Sequence, residues 1–197
     1  MDAVKWEGIV DQAGKAFARF GFRKTSIEDV ARAAGVAKGT VYLGCQSKRD
    51  LFYQAILRDL QQWKAELSER IDPRKPADET LVEIVTGAFE IMDQHPLARD
   101  LIKGDLYVDL PDWTEHLDEL RTHGVGIIVE ILRIGVRQGR FRESLDIEEV
   151  AGIFLDLVTT TILYLTRDPA GEERIPRRLQ AAFDVLLNGI LGTEQKT

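Results

Sequence analysis

The side chains best suited to a chemical partner lie in the stretch TSIEDVARAAGVAKGTVYLGCQSK, residues 25–48, and the partner they suit is a nucleic acid. Lys38 can neutralise a phosphate or reach a guanine edge, and Thr40 can meet a base edge or a thymine methyl. Tyr42 can hydrogen-bond a phosphate oxygen while its ring packs, and Gly39 lets the backbone approach closely. Thr25 and Ser26, at a helix N-terminus, offer hydroxyls and free N–H groups to a second phosphate. Lys48, opening the helix after that, adds one more cation.

These residues need a scaffold, and the surrounding pattern supplies one. Thr25 can cap a short helix from Ile27 to about Ala34, with Glu28 reaching back to close a capping box. Gly35 supplies the left-handed turn residue, and a second short helix follows over residues 38–43. Ile27, Val30, Ala31, Val36 and Val41 are spaced to pack the two helices together and against the one before them. That is a helix-turn-helix, which presents its second helix to the major groove.

The preceding helix runs over residues 4–20, with Ile9, Ala13, Ala16 and Phe20 on one stripe, Val10 and Phe17 beside it, and Gly21 as its cap. A fourth helix runs from about 47 to 70 and stops at Asp72-Pro73-Arg74-Lys75-Pro76, the best linker. Helices are expected beyond it at about 77–94, 96–108, 112–139, 146–167 and 174–191. The fold class is all-α: a three-helix head over residues 1–50, then a helical bundle over 72–197.

The residues of this stretch resemble the signature of tetracycline-repressor (TetR) family regulators. Thr25-Ser26-Ile27, Ala31, Ala34-Gly35-Val36, Lys38-Gly39-Thr40, Tyr42, Ser47-Lys48 and Leu51-Phe52 carry the resemblance, which covers about residues 5–60. It implies a DNA-binding head, a dimerising and effector-binding body, and DNA contacts by Thr25, Lys38, Tyr42 and Lys48. Four positions depart from the family pattern. Leu43, Gly44 and Cys45 stand where a polar or aromatic pair and a phenylalanine are usual, and Ala37 replaces a frequent serine cap, a loss of about 1 kcal/mol. Gly44 either lacks a ring that touches the DNA backbone or caps a shortened helix with a positive φ.

Charge distribution agrees with a nucleic-acid partner at one end. The chain has 197 residues and a formal net charge of −7. Residues 1–50 hold nine Lys/Arg and six Asp/Glu, net +3, while the rest carries −10. An acidic body with a basic head is what results when only the head meets phosphate.

Other chemistries find little support. The single Cys45 excludes an intramolecular disulfide or a cysteine-rich zinc site and reads as a small buried hydrophobe. His95, His116 and His123 have no carboxylates at di-iron spacing, and no nucleophile elbow or phosphate loop is present, so neither metal, cofactor nor enzyme activity is expected. No signal peptide or membrane span is visible, which predicts a cytoplasmic protein. The alternatives are a helical interaction protein with weakened DNA binding and, behind it, a helical-bundle enzyme.

The last two helices imply a second copy of the chain. Apolar residues surround the axis over 146–167, and 174–191 carries a broad apolar face. Ile153, Leu157, Tyr164, Leu179, Phe183, Leu186 and Ile190 are the expected interface of a homodimer, which would bind a pseudo-palindromic duplex. A small, largely apolar effector is expected between the helices of residues 77–167, with Phe89, Met92, Tyr107, Trp113 and His123 as its lining.

Overall fold

A computed structural model describes residues 2–104, 106, 117–165 and 171–190. Helix α1 (Ala3–Lys24) opens on Asp2, whose carboxylate accepts from the Val4 N–H, and buries Ile9, Val10, Ala13 and Phe17. Near its end Gly21 takes φ 76°, where an L side chain is strained, and the chain turns. That turn corrects the reading of Phe20 as core. Phe20 is 53% exposed, with the Arg19 guanidinium 5.1 Å above its ring. Beyond the turn Phe22 takes the inner place, its ring 6.2 Å from Phe17 and 5.0 Å from Phe52.

Helix α2 (Ile27–Ala33) is capped by Ser26 and not by Thr25. The Ser26 hydroxyl accepts from the Asp29 N–H at 3.1 Å, and the Asp29 carboxylate accepts from the Ser26 N–H at 3.2 Å. Thr25 is unavailable because it ends α1, donating its hydroxyl to the Gly21 carbonyl at 2.9 Å. Gly35, at φ 65°, makes the turn into α3 (Lys38–Val41). This helix is four residues long, shorter than expected, and Ala37 caps it with no side-chain hydrogen bond. Ile27, Val30, Ala31 and Val41 are all buried, as the helix-turn-helix packing requires.

Helix α4 (Lys48–Glu69) follows, then α5 (Ala77–Met92), α6 (Pro96–Ile102), α7 (Leu117–Arg137), α8 (Ile147–Leu165) and α9 (Ile175–Ile190). The expected start of α7 at 112 lies outside the described residues. The chain divides into two compact units: Met1–Trp63 with Gln94–His116, and Lys64–Asp93 with Leu117–Thr197. The head therefore claims α6, a segment that the linear order assigns to the body. Asp59 on α4 ties α6 to the first unit. One of its carboxylate oxygens accepts from the Leu97 and Ala98 N–H groups, both at 2.9 Å, and the other lies 3.2 Å from His95 Nδ1. The free amides of α6's first turn are thereby satisfied by a side chain of the head.

In the second unit α5, α7, α8 and α9 share a core that includes Leu81, Ile131, Leu132, Phe154, Leu179 and Phe183. Gln138 ties the post-α7 turn to the linker: its amide donates to the Pro73 and Lys75 carbonyls and its oxygen accepts from the Ala77 N–H. Among the described residues no helix is long and apolar enough to cross a membrane.

Candidate nucleic-acid interface

One turn of helix leaves little ambiguity about which side of α3 faces outward. Val41 is fully buried, while Lys38, Gly39, Tyr42 and Leu43 are exposed and Thr40 is half-buried. At 100° per residue the four exposed positions span one contiguous face with Tyr42 and Gly39 flanking its middle. Gly39 has no positive φ, and a Cβ built there would meet nothing within 4 Å. A helical glycine costs about 1 kcal/mol against alanine, and nothing inside the protein requires this one.

The cations behave differently from one another. Lys38 Nζ pairs with the Glu28 carboxylate across the turn and lies 5.8 Å from the Tyr42 ring centroid. The pair pushes the Lys38 pKa up and the Glu28 pKa down through their shared hydrogen bond. Lys38 stays charged and outward-facing, within reach of an anion that outbids Glu28. Lys48 is more deeply engaged. Its ammonium donates to the carbonyls of Phe22 at 2.9 Å and Thr25 at 3.1 Å, and it sits 4.3 Å over the Phe22 ring. It satisfies carbonyls left open where α1 ends, a position that favours a cation.

Thr25 is 3% exposed and its hydroxyl is engaged by the Gly21 carbonyl at the end of α1. Ser26 is half-buried at the α2 N-terminus. Cys45 is buried, with its thiol directed to the Val41 carbonyl at 3.4 Å, and burial raises its pKa. Gly44 contradicts the reading of it as a positive-φ cap. It has no positive φ, and the space over it is not empty: the Trp6 indole lies there, 2.5 Å from an ideal Cβ position. Trp6 and the Gln54 amide that holds it escaped the sequence reading. Only the departure at Gly44 pointed toward them.

In the body, Ile153 and Tyr164 are 53% and 70% exposed, Val185 is 72% exposed, and Leu157 and Leu186 are half-buried. Leu179 and Phe183 are not on that surface. They are 0% and 1% exposed, with Phe183 packed 4.8 Å from Phe154, because their own chain already covers them. Met92 is buried. The side chains of Phe89, His123 and Ile190, and the whole of Tyr107 and Trp113, lie outside the described residues.

Residues 9–55 match the family model of bacterial regulatory proteins, tetR family. The fatty acid metabolism regulator protein of Bacillus subtilis is 25% identical over 164 residues, covering 81% of this chain and 84% of the relative. The transcriptional repressor KstR2 of Rhodococcus jostii is 23% identical, covering 92% and 89%. A solved structure of the regulator FadR from Bacillus subtilis in complex with stearoyl-CoA has a TM-score of 0.64 at 21% identity, covering 94% of this chain and 99% of that one. The N-terminal helix-turn-helix is thus that of the tetR family of bacterial regulatory proteins, and the helical C-terminal part that follows it resembles those of TetR-like regulators in fold.

Proposed function

We propose that the protein is a ligand-responsive repressor that binds a pseudo-palindromic operator as a homodimer, reading bases with the outward face of α3. Gly39 carries this reading. A helix that gives up a side chain with no internal gain, between Lys38 and Thr40 and beside Tyr42, is shaped for close approach to a groove edge. Lys38, Ser26 and Tyr42 supply phosphate contacts. Lys48 acts mainly by holding the end of α1 against the start of α4.

The exposed Ile153 and Tyr164 and the half-buried Leu157 share one face of α8 and, with Leu186 of α9, support the dimer. The effector we propose is a small, largely apolar molecule held among the helices of residues 77–167. A long-chain acyl thioester is the first class to test, since the solved FadR structure holds stearoyl-CoA. The effector must bind one arrangement of the dimer better by about 1–3 kcal/mol to act as a switch.

Selection from a pool of randomised duplexes by the full-length protein tests the operator reading. The enriched sequences should contain two inverted half-sites whose centres lie about one helical turn, or a multiple, apart. Stearoyl-CoA should then release the enriched duplex at micromolar concentration. Enrichment of no sequence would overturn the repressor reading. Enrichment without release would remove only the acyl thioester.

A further inference from the structure

The recognition helix is one turn long and ends at once in a loop, so something other than its own hydrogen bonds must fix its direction. Its last peptides wind down through Leu43 N–H to Thr40 carbonyl at 3.3 Å and Gly44 N–H to Val41 carbonyl at 3.0 Å. At that exit three segments distant in sequence converge. The Trp6 indole, from the first turns of α1, lies on Gly44, with ring atoms 2.5, 2.5 and 2.7 Å from where a Cβ would stand. No side chain fits at 44 while the indole is there.

The indole is itself held. Its N–H donates to Gln54 Oε1 at 3.0 Å, and Gln54 Nε2 donates onward to the Gly44 carbonyl at 3.2 Å and to Asp50 Oδ1 at 3.0 Å. The other Asp50 oxygen accepts from the Gln46 N–H at 2.7 Å. On the same stretch of α1, Glu7 and Asp11 bind Arg58 of α4 at 3.4 and 3.1 Å. The loop leaving the recognition helix is thus gripped from α1 and from α4 together.

We propose that Trp6 is a positioning residue for DNA recognition, and that its indole supplies from α1 the ring missing at position 44. It sets the direction of the α3 face without touching a base, and Gln54 transmits that setting to the Gly44 carbonyl. Trp6 and Gly44 form a complementary pair in which each makes sense only beside the other. The proposal rests on the DNA-binding reading above and deepens it.

The pairing predicts a sign reversal that simple loss of packing does not. Gly44 has no positive φ, so the backbone accepts a side chain there once the indole is gone, and that side chain would point into the vacated space. Full-length Trp6→Ala, Gly44→Tyr and the double variant would be titrated against the duplex enriched by the wild type and an unrelated duplex of equal length. Misplacing a contact surface by about an ångström costs specific contacts first, so each single variant should weaken the enriched duplex about tenfold and the unrelated duplex less than about threefold. The double variant should return to within about threefold of the wild type, where independent effects would multiply to about a hundredfold. Trp6→Phe keeps a ring but removes the N–H to Gln54 and part of the indole over Gly44, and should cost a smaller, specific loss even if Gly44→Tyr does not fold. Multiplying losses, equal losses on both duplexes, or full affinity in Gly44→Tyr would each overturn the pairing. A wild type that does not distinguish the duplexes would overturn the DNA reading itself.

Discussion

Lys48 separates two readings of a lysine at the start of α4. Taken with the family resemblance it is a phosphate contact. In the structure its ammonium bridges the carbonyls of Phe22 and Thr25 over the Phe22 ring. Lys48→Ala removes two charge-assisted hydrogen bonds, each worth about 1.5–3 kcal/mol when well shielded, and a cation–π contact worth about 0.5–1 kcal/mol where exposed. Lys48 is half-buried, and water recovers part of what the carbonyls lose, so the net cost is about 2–3 kcal/mol. In a chain of this size that lowers Tm by about 4–12 °C. Differential scanning calorimetry reads the shift, and titrations of an unrelated duplex at several salt concentrations read the number of phosphates engaged. The clamp predicts a lower Tm with an unchanged salt slope. An unchanged Tm with a slope shallower by about one unit per protomer would refute it and return Lys48 to the phosphate.

Gly39→Ala should raise Tm by about 1–4 °C, since alanine favours helix and the Cβ meets nothing, while the enriched duplex binds at least about tenfold more weakly. Equal affinity by fluorescence anisotropy would mean the DNA does not approach that face. Glu28→Gln frees Lys38 from its ion pair and removes a negative charge beside the DNA, so low-salt binding to an unrelated duplex should tighten about twofold to fivefold. Weaker binding in that assay would show Glu28 to be a useful orienter of Lys38. In sedimentation, Ile153→Asp combined with Tyr164→Asp should yield a monomer at micromolar concentration with its helices intact, because both side chains are exposed in the single chain. Phe183→Asp should instead cost at least about 3–5 kcal/mol and unfold the body, because its ring is core.

The helical segments were legible because punctuation residues mark them. Pro76 and Pro96 open α5 and α6, Gly35 makes the turn before α3, and the helix-turn-helix core of Ile27, Val30, Ala31 and Val41 is buried as its spacing demands. What escaped was every choice between near-equivalent neighbours. Thr25 and Ser26 are both good N-caps, and Ser26 takes the role because Thr25 is already spent on the end of α1. Phe20 and Phe22 are equally apolar, and Gly21 decides between them by turning the chain. Leu179 and Phe183 share an apolar face with Leu186, and periodicity cannot tell a chain's own core from a partner's surface. Long-range side-chain placement left no trace beyond the departure at Gly44. Trp6 over Gly44, and Asp59 at the first turn of α6, join positions 38 residues apart in each case, and neither is written in a local pattern.

Sequence-specific DNA binding by the α3 face is tested most directly by the ratio of two dissociation constants at one physiological salt concentration. The full-length wild-type protein would be titrated by fluorescence anisotropy against its enriched duplex and against a scrambled duplex of the same length and composition. Base reading by Gly39, Thr40 and their neighbours predicts a ratio of about 10³ or more. A ratio within about tenfold, with both affinities falling together as salt rises, would show a head that holds phosphate and reads no sequence.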